Sequence, residues 1–240
     1  MKVDEGGRMS QRMTVGVVPL EGRGSLPFVD LHHEALFLHA VRALLEVDRV
    51  AGHVVVTVDP DQGAAAAADL DRTDLPALVK DARGWWRTLG AGRVGPVTVV
   101  MHDPLCPLVP ASFLAACLDD TGAADVRRGA AGPGGDGALV AFRPVTDTIK
   151  TVVDDQIVGT LDREVFGVVA SPVVFDHRHE HTAPQGLPPT ADFGALVAWL
   201  RAQGPVSLRK APSLGRRVDD PSAVNLLECM DEMARMVQET

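Results

Sequence analysis

The sequence predicts an α/β protein with one open, mostly parallel sheet that is covered by helices on both faces, and two observations carry the prediction. First, three short runs, "TVGVVP" (14–19), "HVVVTVD" (53–59) and "VGPVTVVMHD" (94–103), are rich in valine and other apolar residues, as strands buried on both faces are. Second, segments with helical periodicity alternate with these runs, which is the pattern of a parallel sheet. Ligands in such sheets bind beyond the carboxyl ends of the strands.

The predicted elements of the first half follow in order. Residues 14–19 form a strand that breaks into a glycine-containing loop, and apolar residues then recur at helical spacing over 33–47. The second strand is followed by an alanine-rich helix over 62–70. The third strand precedes a helix over 110–120, with Pro110 near its first turn.

The second half is predicted to resume after "RRGAAGPGGDG" (127–137), a Gly-rich linker that contributes little buried surface. The segment "ALVAFRPV" leads into a polar hairpin over 145–163. "FGVVASPVVFD" (166–176) is predicted to be a strand and a turn, and 192–204 a helix that ends at Gly204. The last helix has Asp219 or Asp220 as its cap and Pro221 at its first position.

Composition sets limits on the class of protein. Among the 240 residues 46% are apolar and 23% are charged, which is typical of a folded protein. The net charge of −9 disfavours nucleic-acid binding, and no apolar run approaches the roughly 20 residues that span a bilayer. We predict a flexible leader over 1–13 and one domain over 14–240.

Cysteine usage indicates the compartment. Cys106, Cys117 and Cys229 are odd in number, and their spacing matches neither a zinc site nor a CxxC redox pair. Such cysteines are typical of reduced thiols. We therefore expect a cytoplasmic protein.

Four stretches carry a family resemblance: "HDPLCPLVP" (102–110), "PVTDTIKTVVDDQIVGTLDR" (144–163), "ASPVVF" (170–175) and "RRVDDPSAVNLLECM" (216–230). In order and spacing they resemble the cytidylyltransferases that join a CMP group to methylerythritol phosphate in the non-mevalonate isoprenoid pathway. The hairpin is the most specific match, because that family carries D-T-I-K followed by T-x-x-R. The resemblance implies a Rossmann-like nucleotidyltransferase fold with a protruding β-hairpin arm.

The hairpin over 145–163 is the element through which the resemblance predicts a partner. In the family this arm crosses to a second subunit and helps to close its substrate site, so a homodimer with two composite sites is expected. The alternative is a solvated hairpin without a partner. Isolated two-stranded hairpins are marginal in water, which favours the first interpretation.

The implied reaction sets the chemistry that the site must supply. A triphosphate must be neutralised, and an oxyanion of the acceptor phosphate must attack the α-phosphorus in line, so positioning and electrostatics carry the catalysis. A Gly-rich loop, basic side chains and a carboxylate that holds Mg²⁺ suit this task. The expected ligands are therefore CTP, a polyol phosphate and Mg²⁺.

On the nucleotide side, the resemblance assigns nucleotide binding to Gly22 and Gly24 of the loop "PLEGRGSLP" (19–27), and a role as catalytic cation to Arg23. Arg23 is the only cation of this loop, since Leu26 stands where the family carries a lysine. The alternative for "EGRG" is an ordinary turn. The resemblance also assigns Gly84 and Arg87 to nucleotide binding.

Two neighbouring tryptophans, Trp85 and Trp86, lie in the same stretch as Gly84 and Arg87. Core or interface anchoring is favoured for them over stacking on a base.

Two further catalytic residues are implied. Asp103 follows a buried strand at the position of the family's metal-facing aspartate, and it is the predicted Mg²⁺ ligand; without the resemblance it would be a turn or cap residue. Cys106 replaces an arginine of the family. Arg217 stands near the family's C-terminal catalytic lysine.

The polyol phosphate is expected to bind residues of the arm and of the strand after it. The resemblance assigns this role to Arg163, with Ser171 as a neutral donor beside it, because a guanidinium binds two phosphate oxygens at once. The other substrate-binding residues are Thr146, Asp147, Thr148 and Lys150.

Two charged clusters complete the candidates. Arg209, Lys210, Arg216 and Arg217 precede the last helix, whose N-terminus favours anions, although such a run is commonly a solvated face. His177, His179 and His181 would share one face of a strand and could bind a metal, but they lie in irregular, Pro-rich sequence and match no site of the family.

Two functions follow. The first is a Mg²⁺-dependent cytidylyltransferase that acts on a polyol phosphate such as methylerythritol phosphate. The second is a degenerate relative that keeps the fold, the arm and a phosphate pocket and serves as a binding or partner module. The altered glycine loop and Cys106 favour the second function, whereas the arm and Arg163 favour the first.

Overall fold

A seven-stranded, mostly parallel sheet with helices on both faces organises the chain in the computed structural model, which confirms the predicted fold class. The structure describes residues 13–50, 52–89, 97–127, 137–177 and 186–238. The predicted leader, apart from Met13, and most of the Gly-rich linker lie outside these residues.

The strands are β1 (Thr14–Pro19), β2 (Asp30–Leu31), β3 (Glu34–Ala35), β4 (Val54–Val58), β5 (Ala77–Asp81), β6 (Val97–Met101), β7 (Ala138–Pro144), β8 (Ile149–Val153), β9 (Gln156–Leu161), β10 (Gly167–His177) and β11 (Val206–Lys210). The helices are α1 (Leu36–Leu45), α2 (Gly63–Thr73), α3 (Ala82–Leu89), α4 (Ala111–Arg127), α5 (Phe193–Arg201) and α6 (Pro221–Gln238).

The order of the strands in the large sheet is β11-β7-β10-β6-β1-β4-β5. All neighbours run parallel except β10, which is antiparallel to both β6 and β7. Strands β8 and β9 form a separate antiparallel hairpin, so the predicted arm is present. The carboxyl ends of β1, β4, β5 and β6 therefore meet at one edge of the sheet.

Side chains of each central strand alternate between two apolar clusters, one on each face of the sheet. Val18 and Val100 enter a cluster with α1, α2 and α4, whereas Val17 and Val99 enter one with α3 and α5. This alternation explains why these strands are mostly apolar on both faces, since neither face is left to solvent.

Most predicted boundaries lie within a few residues of the observed ones. Asp220 caps α6, because its Oδ1 accepts the Ala223 N–H at 3.0 Å, and Pro221 begins the helix as predicted. The predicted strand and turn over 166–176 is instead one strand, β10, with a register shift between Val169 and Val173. Pro172 explains the shift, since a residue without an N–H fits a bulge.

The edge strands β5 and β11 and the helix α3 were not predicted as elements. Both strands are short and largely exposed, and β11 consists of polar and basic residues with Leu208, so neither has the apolar pattern of a buried strand. Among the described residues, no helix is both long and apolar enough to cross a bilayer.

Candidate active site

A cleft of about 780 Å³ opens at the carboxyl ends of β1, β4 and β5, where ligands of open α/β sheets bind. Three carboxylates and one guanidinium line it, namely Glu21, Asp59, Asp81 and Arg83. The segment 187–191 forms the opposite wall. The cleft is therefore acidic, and it lies where the fold class predicts a ligand site.

The predicted glycine loop follows β1 and contacts this cleft. Gly22 has a φ of +72°, and a Cβ there would lie 2.7 Å from the Cβ of Ala191, so only glycine fits. Its N–H donates to Asp59 Oδ2 at 2.9 Å. The Gly24 carbonyl accepts from Gln62 Nε2 at 2.9 Å, which fixes the loop as a closed turn.

The side chain of Arg23 is directed into the protein rather than towards solvent. Its Nε donates to Asp103 Oδ1 at 3.0 Å, and its terminal nitrogens donate to the carbonyls of Glu21 and Thr190 at 2.9 and 3.2 Å. The guanidinium also lies 5.4 Å from the ring centroid of Phe193. Because only 2% of this side chain is exposed, the geometry favours a positioning role for Arg23.

Asp103 joins two arginines in a buried ion triad. Its Oδ1 accepts from Arg23 and from the Leu105 N–H at 3.1 Å, and its Oδ2 accepts from Arg217 Nε at 3.1 Å. Burial alone would raise the pKa of Asp103, but the two guanidiniums and the Leu105 N–H bring it below its usual value. The triad thus brings together all three residues predicted as catalytic.

As arranged, the Asp103 carboxylate does not fit the role of a Mg²⁺ ligand, because two guanidiniums already neutralise it. Among the described residues there is no group of three or more His, Cys, Asp or Glu side chains arranged to hold a metal. His177 ends β10, while His179 and His181 lie outside the described part of the chain.

Ser171 lies behind the triad and is fully buried. Its Oγ accepts the Asp103 N–H at 3.0 Å and shares a hydrogen bond with His102 Nδ1 at 2.5 Å. A hydroxyl so engaged positions Asp103 rather than facing a ligand. The predicted pairing of Ser171 with Arg163 is not observed, because Arg163 is exposed and binds the Thr146 carbonyl at 2.5 Å.

His102 supplies a testable pH dependence. Burial lowers its pKa from 6.5 to about 4, against the opposing charge of Asp103. The folded protein therefore favours neutral His102. The contribution of this preference to the free energy of unfolding is complete above pH 6.5 and is lost as the pH falls towards 4. The shift corresponds to about 3 kcal/mol. The free energy of unfolding, measured with urea, should be lower at pH 4.5 than at pH 7 by most of this amount.

The control for this prediction is a histidine on the surface. The loss between pH 7 and 4.5 should shrink markedly in a His102→Gln variant and persist in His53→Gln, which changes an exposed side chain. If His102→Gln retains the wild-type loss, another group is responsible for it.

A second pocket, of about 410 Å³, lies between the base of the arm and the segment before α6. Among the predicted residues, Thr146, Asp147 and Arg217 line it. Thr148 and Lys150 lie further along the arm, where Lys150 Nζ donates to Thr160 Oγ1 at 2.7 Å. The pocket thus combines residues from the arm with one member of the triad.

The two residues of α3 that were predicted to bind the nucleotide, Gly84 and Arg87, do not line the first cleft. Arg83 and Trp86 of the same helix line it instead. The Gly84 N–H donates to Asp81 Oδ2 at 2.6 Å, so Gly84 lies in the first turn of α3 and Asp81 caps that turn. Trp86 is 1% exposed and packs among core residues, as an anchor does.

The basic cluster before α6 is divided. Arg209 pairs with Asp120 and lies 5.6 Å from the ring centroid of Phe113, so it contacts α4. Arg216 and Arg217 face the second pocket. Cys106, which replaces an arginine of the family, lies in an apolar cluster, and burial raises the pKa of its thiol well above the usual value.

Sequence reasoning missed Glu21 and Thr190, whose side chains bond each other beside the cleft, and Arg143, which lines the second pocket. Glu21 directly precedes the glycine loop, and this adjacency was the available signal. Thr190 had no signal, because it lies in irregular Pro-rich sequence. Arg143 lies in the segment that leads into the arm, where a single arginine gives no signal of a ligand site.

Together these features define a class: an open α/β protein with two adjacent pockets at one edge of its sheet and a separate hairpin arm. No model of a known protein family matches the chain. A curated 2-C-methyl-D-erythritol 4-phosphate cytidylyltransferase of Corynebacterium diphtheriae is 30% identical over 189 residues, which cover 70% of each chain. The chain belongs to the 2-C-methyl-D-erythritol 4-phosphate cytidylyltransferase family.

Two further comparisons agree. A bifunctional enzyme IspD/IspF of Solidesulfovibrio magneticus is 28% identical over 179 residues, or 71% of this chain, and the match spans only 38% of that longer protein. The crystal structure of the 2-C-methyl-D-erythritol 4-phosphate cytidylyltransferase from Thermus thermophilus has a TM-score of 0.61 and 21% identity, with 90% of this chain and 98% of that chain covered. That likeness supports the fold.

Proposed function

We propose that the protein transfers CMP from CTP to methylerythritol phosphate or a related polyol phosphate. The observation that carries this proposal is the position of the Arg23–Asp103–Arg217 triad. Arg23 binds carbonyls of Glu21 and Thr190 on the wall of the acidic cleft, while Arg217 lines the second pocket. A donor in the cleft and an acceptor in the second pocket would therefore meet beside the triad.

The proposed reaction needs a cation where the two substrates meet. An oxygen of the acceptor phosphate attacks the α-phosphorus of CTP, the bond to the β-phosphate breaks, and pyrophosphate leaves. Arg217 is half-exposed, and its Nε and one terminal nitrogen bind Asp103 and Asp219, so the other terminal nitrogen has no hydrogen bond in the described structure. We propose that it stabilises the charge that develops on the phosphates.

We propose that Mg²⁺ binds together with the nucleotide and that Asp103 is not one of its ligands. Mg²⁺ is commonly held by the phosphates of its substrate together with few protein groups. The acidic lining of the cleft supports this proposal, because three carboxylates would repel a bare triphosphate.

Calorimetric titration with CTP and Mg²⁺, followed by a pyrophosphate-release assay with methylerythritol phosphate, tests the function. We expect CTP to bind and pyrophosphate to be released only when both substrates are present. A folded protein that neither binds CTP nor releases pyrophosphate would contradict the proposal and would support the degenerate relative with a surviving phosphate pocket.

We also propose a cytoplasmic homodimer joined through the arm, with residues 14–240 as one domain. Apolar side chains of β8 and β9 are largely exposed: Val152, Val153, Ile157 and Val158 have 52–68% of their surface accessible. An apolar hairpin of this kind gains stability when a partner covers it. Free thiols at all three cysteines agree with a reducing compartment.

The dimer proposal is tested by sedimentation of the full chain. We expect a mass near twice 25.4 kDa, and a shift towards the monomer for the variant Ile157→Asp. Leu208→Asp is the matched control, since Leu208 is equally exposed but lies on the edge strand β11. A wild-type protein that sediments as a monomer would refute the proposal.

A further inference from the structure

The second pocket contains two arginines that the family resemblance does not assign. Arg143 is the penultimate residue of β7 on one wall, and Arg216 precedes α6 on the other. The remaining charged side chains of the lining are Arg217, Asp147 and Asp219. The balance of charge in the pocket therefore depends on which of these five are already paired.

The residues that the resemblance assigns to the phosphate are engaged elsewhere. Ser171 is fully buried and binds His102 and the Asp103 N–H. Arg163 binds the Thr146 carbonyl and does not line this pocket of its own chain. Neither group presents a donor to this pocket in the described structure.

Arg217 is already paired with two carboxylates. Its Nε binds Asp103 Oδ2 at 3.1 Å, and a terminal nitrogen binds Asp219 Oδ1 at 2.5 Å. Much of its charge is thus compensated before a ligand arrives. Asp219 is compensated in turn, which leaves Asp147 as the only unpaired carboxylate of the described lining.

Arg143 and Arg216, by contrast, have no carboxylate partner among the described residues. Arg143 donates one hydrogen bond, to the Ser213 carbonyl at 3.1 Å, and this bond orients its guanidinium between β7 and the segment before α6. Arg216 is exposed and makes no hydrogen bond within the described structure. Two uncompensated guanidiniums face one carboxylate, so the pocket favours an anion.

We propose that Arg143 and Arg216 hold the phosphate of the acceptor, and that Asp147 selects an acceptor with hydroxyl groups. A guanidinium can donate two hydrogen bonds to two oxygens of one phosphate, and a carboxylate accepts hydrogen bonds from hydroxyls. A phosphate monoester of a polyol satisfies both requirements. The identity of the acceptor as methylerythritol phosphate rests on the proposed function, whereas the assignment of the two arginines does not.

Calorimetric titration of the full chain with methylerythritol phosphate tests the assignment. Arg143→Gln and Arg216→Gln should each weaken binding about tenfold or more, since each removes charge-assisted hydrogen bonds to the phosphate. Arg201→Gln is the matched control, because Arg201 is an exposed arginine at the end of α5 and lies outside the pocket. Its affinity should stay within about twofold of wild type, as a distant surface change predicts.

Two accompanying measurements exclude a folding defect and a general disturbance of the active site. Thermal unfolding should show both pocket variants to be folded, because the substitutions remove at most one hydrogen bond to the protein. In the pyrophosphate assay, the variants should raise KM for the acceptor more than they lower kcat. A disturbance that spread through the active site would lower kcat as well.

The outcomes separate this inference from the proposed function. Wild-type affinity in both pocket variants would overturn the assignment. If the wild type does not bind methylerythritol phosphate but binds glycerol 3-phosphate, and both variants lose that binding, the assignment stands and the proposed acceptor is wrong. If the wild type binds neither phosphate monoester, the assignment is overturned.

Discussion

Replacing Asp103 with asparagine is expected to destabilise the protein by about 3–5 kcal/mol, because the change leaves a buried arginine without its counter-charge. The side chains of Arg23 and Asp103 are 2% and 3% exposed, so water cannot compensate for the loss. Since the whole free energy of unfolding of a domain is about 5–15 kcal/mol, the variant should be partly unfolded at modest urea concentrations.

Urea unfolding, with the slope compared between variants, measures this effect. The matched control is Asp219→Asn, which removes a carboxylate from the other end of the same network. Asp219 is 72% exposed, and exposed pairs contribute less than about 1 kcal/mol. Equal losses in the two variants would show that burial of the triad contributes nothing to its stability.

Replacing Arg217 with glutamine is expected to lower kcat for pyrophosphate release by about 10²–10³, the cost of removing one preorganised donor from a site of charge development. The effect on stability should be smaller than that of Asp103→Asn, because Asp103 keeps its bond to Arg23. An Arg217→Lys variant, which restores the charge without the planar geometry, should recover part of the rate.

Arg201→Gln serves here too as the control, and its kcat should equal that of wild type. The proposed catalytic role of Arg217 fails if Arg217→Gln retains the wild-type kcat with saturating substrates. A rise in KM with unchanged kcat would mean that Arg217 binds the substrates but does not stabilise the transition state.

The sheet could be predicted from the sequence because its central strands carry their own signal. Residues 14–19 and 54–58 are mostly apolar and are buried on both faces, and such runs favour a buried strand over other structures. The edge strands lack this pattern, since solvent covers part of their surface. The sequence of β11 therefore indicates only a basic segment, although its backbone pairs with β7 along its whole length.

The candidate site was predictable only in part. The resemblance selected Arg23, Asp103 and Arg217, and the structure brings all three into contact. It could not show that Arg23 would face inwards, because that orientation depends on Thr190, a residue 167 positions away in irregular sequence. A motif fixes which residues are present, but their hydrogen-bond partners are decided by tertiary packing.

The arm occupies a special place in the topology of the chain. Strands β7 and β10 are antiparallel neighbours, and their pairing begins with Pro144 opposite Gly167, on either side of the arm. The arm is thus an insertion at the tip of a long hairpin whose stem is fixed by the sheet. Its length and sequence can change without altering the strand register, so the proposed partner contact can diversify while the sheet that carries the candidate site is retained.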